Sequence, residues 1–191
     1  MSANLSDEVL KAFEIIKKGG VILYPTDTVW GLGCDATNTK AVERIFQIKK
    51  RAETKSLIIL LDQFEKLYQY VKEVPQIALD LHTSITTPLT IVYPNAKNIS
   101  KKLIPEDGSI AIRIVRDEFC QKLISLMNKP LVSSSANISG DPTPLMFFKI
   151  SDEIIKQVDY VVNINQTRIN QIKASTIIKF NEKGEYEIIR S

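Results

Sequence analysis

Histidine and cysteine are scarce in this chain of 191 residues, which contains one histidine and two cysteines. Cys34 and Cys120 lie far apart and form no CxxC motif, so we expect a reduced, cytoplasmic protein rather than a disulfide scaffold. His82 is the single candidate for the base of a Ser–His–Asp triad, and we interpret it as structural or surface-exposed. No group of His, Cys and Asp has metal-ligand spacing, so we expect no protein-bound metal site.

Long apolar runs and a strong excess of one charge are also missing. No apolar run approaches the ~20 residues that a membrane-spanning helix needs, and the polar start M-S-A-N-L-S-D-E predicts no signal peptide. The 25 Lys and Arg residues against 22 Asp and Glu residues permit a polyanionic ligand without requiring nucleic acid. With 44% hydrophobic residues, and no repeat or linker, residues 1–191 are predicted to form one domain.

The hydrophobic pattern alternates between strand-like and helix-like segments in the first half of the chain. Ser6 is predicted to cap the first helix and Asn38 or Thr39 the second, and further helices are predicted over 64–71 and 117–128. Strands are predicted at 21–24, 57–61, 89–93, 110–114, 131–134, 160–164, 176–180 and 186–189. Because the last strands follow each other directly, we expect an α/β fold with a twisted, mixed parallel and antiparallel sheet and flanking helices.

Residues 25–33, P-T-D-T-V-W-G-L-G, place small hydroxyls and glycines directly after a predicted buried strand. Thr and Asp side chains can bond to backbone or to a ligand, and glycine lets a ligand approach the backbone closely. Ligands usually bind where the strands of α/β sheets end. A loop with an ordinary Asx or Thr turn explains the same residues. The segment matches neither a P-loop nor a G-x-G-x-x-G fingerprint.

Four cations lie within seven residues in K-K-R-A-E-T-K, 49–55, at a predicted helix end. Cations at this end of a helix interact favourably with the helix dipole, which is one explanation. Lys49 and Arg51 can instead hold one anion together if the helix ends near Ile48, because residues two apart share a side only in an extended chain. Arg supplies a planar fork for phosphate oxygens, and Lys a point charge.

Polar residues also follow or interrupt the later strands. Ser135 and Asn137 come after the strand at 131–134 with a spacing of two, so they face one ligand or cap their own loop. Arg113 lies inside the apolar strand I-A-I-R-I, where a buried charge needs an acid or a ligand carboxylate as partner.

Seven short motifs, taken in order, resemble the YrdC family, the threonylcarbamoyl-AMP synthases. They are G-G-V-I-L-Y-P-T-D-T-V-W-G-L-G (19–33), K-K-R (49–51), P-L-T (88–90), A-I-R (111–113), S-S-S-A-N-I-S-G-D-P (133–142), S-T-I-I (175–178) and I-I-R (188–190). The resemblance implies a sheet around an electropositive cavity. It also implies that L-threonine, bicarbonate and ATP react to threonylcarbamoyl-adenylate and pyrophosphate, the first step of the t6A modification of tRNA. A separate transferase complex then uses the product.

The resemblance also implies which residues bind each substrate. On the ATP side it places Lys49, Arg51, Lys55, Ser109, Asn137 and Arg190, with Lys49 and Arg51 as catalytic cations. On the threonine side it places Thr28, Arg113, Ser135 and Ser175. Mg²⁺ is expected to arrive with ATP. Such a reaction needs positioned substrates and fixed positive charge rather than a protein nucleophile, which agrees with the residue types.

Several positions depart from the family pattern, and we expect them to alter ATP contacts more than the reaction. They are Trp30 for Tyr, Ala52 and Ser56 for prolines, Leu60 for the histidine of some members, Thr87 for Gly, Leu145 for Thr and Ala174 for Pro.

Three alternatives compete with the synthase. A YrdC-fold RNA-binding paralogue without synthase activity should lose the Lys-x-Arg or Ser-x-Asn pair, and both pairs are present. A weak direct contact with tRNA stays open, although no stacked aromatics mark an RNA site. The carbamoyl-transfer domain of hydrogenase-maturation proteins belongs to much longer chains with zinc motifs. A generic α/β domain with solvated basic patches would contain the seven ordered motifs only by chance.

Overall fold

The computed structural model describes residues 4–52, 56–167, 175–181 and 183–190. Its strands β1 to β9 are Ile22–Tyr24, Gly31–Gly33, Ile58–Leu61, Leu89–Tyr93, Ile110–Ile114, Leu131–Ser135, Tyr160–Val161, Thr176–Phe180 and Tyr186–Arg190. Its helices α1 to α6 are Leu5–Lys17, Thr39–Ile48, Leu67–Tyr70, Gln76–Ser84, Glu118–Met127 and Asp152–Ile155. None of the helices in these ranges has the length and apolarity that a bilayer crossing requires.

The nine strands form one sheet in the order β7-β1-β2-β6-β3-β5-β4-β8-β9. Three neighbouring pairs are parallel, namely β1–β7, β3–β5 and β4–β8. The other neighbours pair antiparallel, including the hairpin of β8 and β9. The mixed α/β sheet predicted from the sequence is therefore confirmed.

Hydrophobic side chains pack on both faces of the sheet because strand residues alternate between faces. Leu60 and Leu131 pack with buried residues of α1 and α5, whereas Ile59 and Val132 belong to the larger core on the opposite face. On the same face, Leu60 pairs with Arg113, and beyond Leu131 the next pair is Ile58 with Ser133. The open part of this face is where the candidate site lies.

Side-chain caps mark the starts of α1, α2 and α5. Asn4 caps α1 by accepting a hydrogen bond from the Ser6 N–H at 3.1 Å, so the predicted cap at Ser6 is wrong by two residues. Asn38 caps α2 as predicted, with its Oδ1 3.2 Å from the Ala41 nitrogen. Asp117 caps α5 through the Cys120 N–H at 2.9 Å.

β2 was predicted as part of a loop, because Gly-Leu-Gly has little intrinsic tendency to form a strand. Pairing with β1 and β6 overrides that tendency. Gly33 is required here by its neighbour: a Cβ on it would lie 2.6 Å from Cε1 of Tyr24, whose ring crosses the strand. The structure thus explains this glycine by packing rather than by a ligand.

One helix was not predicted, and two further sequence expectations needed correction. α4 was not predicted, since Ile77 and Leu79 are exposed and Ala78 is buried, which leaves no clear helical period. The strand predicted over 160–164 ends at Val161, because the Asn163 N–H bonds to the Glu8 carboxylate at 2.7 Å instead of to a strand. The helix predicted from Phe64 starts as a 3-10 turn before α3.

Candidate active site

A cavity of about 610 Å³ lies on the face of the sheet that α1 and α5 leave open. Its volume is in the range of small-molecule binding sites. The lining residues come from loops and strands across the sheet: Thr26, Thr28, Val29, Gly31, Arg51, Ser56, Leu57, Ile58, Thr90, Arg113, Ser133, Ser134, Ser135, Thr143, Leu145, Ser175, Ile177 and Arg190.

Strand register explains why these residues meet. Ser133 and Ser135 follow Leu131 at intervals of two and therefore point to the same face. Arg113 pairs with Leu60, and Ser135 pairs with Gly31. Because Gly31 has no side chain, the backbone of β2 itself forms part of the wall.

The structure brings together six of the ten site residues predicted from the sequence. The cavity lining contains Thr28, Arg51, Arg113, Ser135, Ser175 and Arg190. Lys55 lies outside the described residues. Of the described predictions, Lys49, Ser109 and Asn137 are not part of the lining.

The charge of the lining is positive. Arg51, Arg113 and Arg190 contribute guanidinium groups, and none of the described lining residues is an Asp or a Glu. Guanidinium forks match the geometry of carboxylate and phosphate groups. The cavity is therefore suited to an anionic ligand or to two of them.

Arg113 is held by the first motif although it is only 3% exposed. Its Nη1 donates to Thr28 Oγ1 at 3.2 Å, and its Nη2 lies 3.5 Å from Asp27 Oδ1. The Thr26 hydroxyl donates its single proton to the Val29 carbonyl at 2.7 Å, so the Thr28 hydroxyl donates to Thr26 Oγ1 at 3.0 Å. The two threonines and the aspartate thus orient the buried guanidinium.

Arg113 also carries a buried donor without a partner. Its Nε makes no hydrogen bond within the described part of the protein. An unpaired buried donor of this kind is costly.

Arg190 and Ser175 form a second polar group at the other side of the cavity. Arg190 donates from Nε and Nη2 to the Ser175 carbonyl, at 3.1 and 2.9 Å. The Ser175 hydroxyl lies 2.9 Å from that of Thr90, which is buried in β4. Thr90 belongs to the P-L-T motif, but no role was predicted for it, because a threonine in an apolar strand resembles any other β-branched strand residue.

The Lys-x-Arg pair divides between two environments. α2 ends at Ile48 as the prediction required, but Lys50 then adopts a left-handed φ of 48°, so the chain is not extended. Arg51 lines the cavity and donates from Nη2 to the Ser56 carbonyl at 2.8 Å. The Lys49 ammonium donates to the backbone carbonyls of Ser135 and Asn137, the latter at 2.7 Å.

Asn137 and Ser109 make local contacts. The Asn137 amide donates to the carbonyls of Ile138 and Asp141, at 3.0 and 2.8 Å. Ser109 donates to the carboxylate of Asp107 at 2.6 Å, at the end of β5 away from Arg113. Their assignment to ATP stays a prediction.

No cysteine or histidine of the described chain is arranged for nucleophilic chemistry in the cavity. Burial raises the pKa of the thiols of Cys34 and Cys120, which keeps both protonated. The His82 ring stacks on Phe64 at 5.6 Å, and burial lowers its pKa. In the described ranges no group of three or more His, Cys, Asp or Glu residues can hold a metal ion.

The departures from the family pattern lie in different places. Leu145 and Ser56 line the cavity, so these two substitutions change its surface. Thr87 lines a separate cavity of about 250 Å³ that also contacts Asp27. The Trp30 ring is fully buried and packs 4.9 Å from Phe147 between centroids.

Residues 14–191 match the family model Sua5_yciO_yrdC, which is described as telomere recombination. The threonylcarbamoyl-AMP synthase of Pseudoalteromonas translucida (strain TAC 125) is 37% identical over 164 residues, which cover 83% of this chain and 88% of that protein. A second protein of this name, from Pyrococcus abyssi (strain GE5 / Orsay), is 33% identical over 168 residues, covering 87% of this chain and 49% of that protein.

The fold agrees with a solved relative. The crystal structure of P. abyssi Sua5 complexed with L-threonine matches with a TM-score of 0.87 and 30% identity, covering 100% of this chain and 55% of that chain. The chain thus spans about half the length of the Pyrococcus proteins that it matches. On the family model, the identities and the shared fold, the chain belongs to the Sua5/YciO/YrdC family.

Proposed function

We propose that the chain is an L-threonylcarbamoyladenylate synthase, a nucleotidyltransferase that forms threonylcarbamoyl-AMP and pyrophosphate from L-threonine, bicarbonate and ATP. The observation that carries the proposal is the convergence of Arg51, Arg113 and Arg190 on one cavity of about 610 Å³ with small hydroxyl side chains between them. The names of the relatives at 33% and 37% identity support the same reaction.

Threonine binds at the Arg113 side in this proposal. Arg113 lines the cavity, and its guanidinium is the group proposed to meet the substrate carboxylate. The Thr28 oxygen accepts one bond from Arg113 and keeps a second lone pair for a substrate donor. Ser135 and Ser175 supply hydroxyls to the same volume.

ATP binds along Arg51 and Arg190, with Asn137 at the edge of the site. Both residues line the cavity, and their guanidinium forks match the geometry of phosphate oxygens. The lining offers hydroxyls rather than carboxylates, so Mg²⁺ takes its ligands from ATP phosphates, water and side-chain hydroxyls. When bound, the ion neutralises phosphate charge.

The reaction requires two bond-forming steps. The threonine nitrogen forms a bond to the carbon of bicarbonate, water is lost, and a carbamate results. A carbamate oxygen then attacks the α-phosphorus of ATP while the bond to the β-phosphate oxygen breaks and pyrophosphate leaves. The arginines stabilise the charge on the phosphate oxygens, and the shared cavity supplies proximity. No protein nucleophile is needed.

The product is a reactive mixed anhydride that a transferase complex acting on tRNA consumes. We place the reaction in the cytoplasm, where ATP and tRNA are both available. Direct contact of this chain with tRNA is not required by the chemistry.

The test is pyrophosphate release from ATP, measured in a coupled assay with each substrate omitted in turn. Release is expected only when both L-threonine and bicarbonate are present. Arg51→Ala should lower the rate by orders of magnitude with the circular dichroism spectrum unchanged. Lys50→Ala is the matched control, because this neighbouring ammonium is exposed and pairs with Glu153 at 2.7 Å. Pyrophosphate release that ignores threonine contradicts the proposal.

A further inference from the structure

Lys49 is a buried cation that the proposed mechanism does not use directly. Only 1% of the residue is exposed, and it ranks among the largest fully buried side chains. Burying an ammonium is costly unless strong acceptors replace water. Two backbone carbonyls, those of Ser135 and Asn137, supply that replacement.

The side chain and the backbone carbonyl of Lys49 both bond to one loop. Besides the two bonds from Nζ, the Lys49 backbone carbonyl accepts a hydrogen bond from the Ser139 N–H at 2.8 Å. One residue at the end of α2 therefore makes three hydrogen bonds to residues 135–139.

These bonds begin where the sheet stops. The pairing of β6 with β2 ends at Ser135, opposite Gly31. Beyond that pair, the Ala136 N–H still reaches the Trp30 carbonyl at 2.9 Å, and Lys49 holds the residues that follow. The loop begins after Ser135, which lines the cavity, and contains Asn137.

We propose that Lys49 is a positioning residue that fixes the Ser135–Asn137 loop against the end of α2, while Arg51 is the member of the Lys-x-Arg pair that meets the nucleotide. The identity of the ligands that the loop serves rests on the proposed function. The mechanical part of the proposal, that a buried ammonium holds the loop in place, does not depend on the proposed function. The turn at Lys50 separates the two cations, so that Lys49 points under the loop and Arg51 into the cavity.

Hydrogen exchange of the ligand-free protein tests the mechanical part. Lys49→Met removes both side-chain bonds, so amide exchange in residues 135–141 should accelerate on the order of tenfold or more, at matched global stability. Lys49→Gln keeps a neutral donor and should recover part of the protection, which also covers the case in which Lys49→Met does not fold. Arg51→Met is the matched control and should leave exchange of this loop unchanged. Unchanged exchange in both Lys49 variants overturns the proposal.

Substrate binding separates positioning from direct contact. A cation that acts through the loop should affect the ligands on both sides of the cavity. Lys49→Gln should therefore raise the KM for threonine and the KM for ATP together. The slope of ATP affinity against ionic strength should stay that of the wild type, whereas Arg51→Met should flatten it. Loss of ATP affinity alone, with a flattened salt slope, shows a direct phosphate contact and refutes the proposal.

A double-mutant cycle gives a further readout. If Lys49 acts through the loop, the effects of Lys49→Gln and Asn137→Ala on the rate of pyrophosphate release should be strongly non-additive. Additive effects count against the loop as intermediary. If the wild type releases no threonine-dependent pyrophosphate, the proposed function fails while the exchange experiment still decides the role of Lys49.

Discussion

The buried ammonium of Lys49 predicts an unusual dependence of stability on pH. Its pKa is lowered from the ordinary value of 10.5 to about 8, first because burial removes water and second because Arg51 repels the charge. In the unfolded chain the side chain regains the ordinary value. The folded and unfolded states therefore bind different numbers of protons between pH 8 and pH 10.5.

The sign follows from which state keeps the proton. Between these pH values the unfolded chain is protonated at Lys49 and the folded chain is not, so raising the pH favours the folded state. The two pKa values differ by about 2.5. Because one pKa unit corresponds to about 1.36 kcal/mol, this difference amounts to about 3 kcal/mol of folding free energy. This penalty is fully present below pH 8 and is relieved as the pH rises towards 10.5.

Guanidinium chloride unfolding of the wild type and of Lys49→Met, measured from neutral pH to about pH 10.5, tests this. Cys34, Cys120 and Tyr93 have raised pKa values that act in the opposite direction at high pH, but they are common to both proteins. The free energy of unfolding of the wild type minus that of Lys49→Met should therefore rise by about 3 kcal/mol. Lys50→Met, which removes an exposed ammonium, controls for loss of a lysine. Parallel curves for the wild type and Lys49→Met refute the reasoning.

Other predictions concern packing, capping and the threonine side. Gly33→Ala should lower the free energy of unfolding by about 1–3 kcal/mol, since its Cβ meets the Tyr24 ring at 2.6 Å, and Tyr24→Leu in the same chain should recover part of the loss in chemical denaturation. Asn38→Ala should cost about 1 kcal/mol in the same measurement by removing the cap of α2, with Asn38→Ser as the tolerated control. Arg113→Met should raise the KM for threonine at least tenfold with little change in ATP affinity measured by calorimetry; equal loss of both contradicts the assignment of Arg113 to threonine.

Much of the fold was predictable because local signals agreed with tertiary contacts. The apolar runs of β3 to β6 are buried as strands, and the caps Asn38 and Asp117 start their helices where the sequence indicates. β2 escaped prediction since its strand character comes only from pairing on both sides. α4 was not predicted because its exposed Ile77 and Leu79 obscure the helical period of apolar residues.

The candidate site was predictable to the extent that residue type reveals it. Arginine inside an apolar strand and hydroxyls after a strand indicate a ligand, and Arg113, Thr28 and Ser135 meet in the cavity. Thr90 was missed since one threonine in an apolar strand looks like any β-branched residue. Only the sheet register brings it to Ser175 at 2.9 Å.

The amino-acid sequence by itself determined the chemistry available to this protein: guanidinium and hydroxyl groups, two thiols and an ordered set of motifs that identifies the family. The tertiary structure alone decided where each charge points. Lys49 and Arg51 are neighbours in the same motif, yet the left-handed turn at Lys50 directs one under a loop and the other into the cavity. Spacing along a chain does not specify direction once a single residue leaves the regular φ, ψ regions. Only the hydrogen bonds between the end of α2 and the residues that follow β6 decide it here.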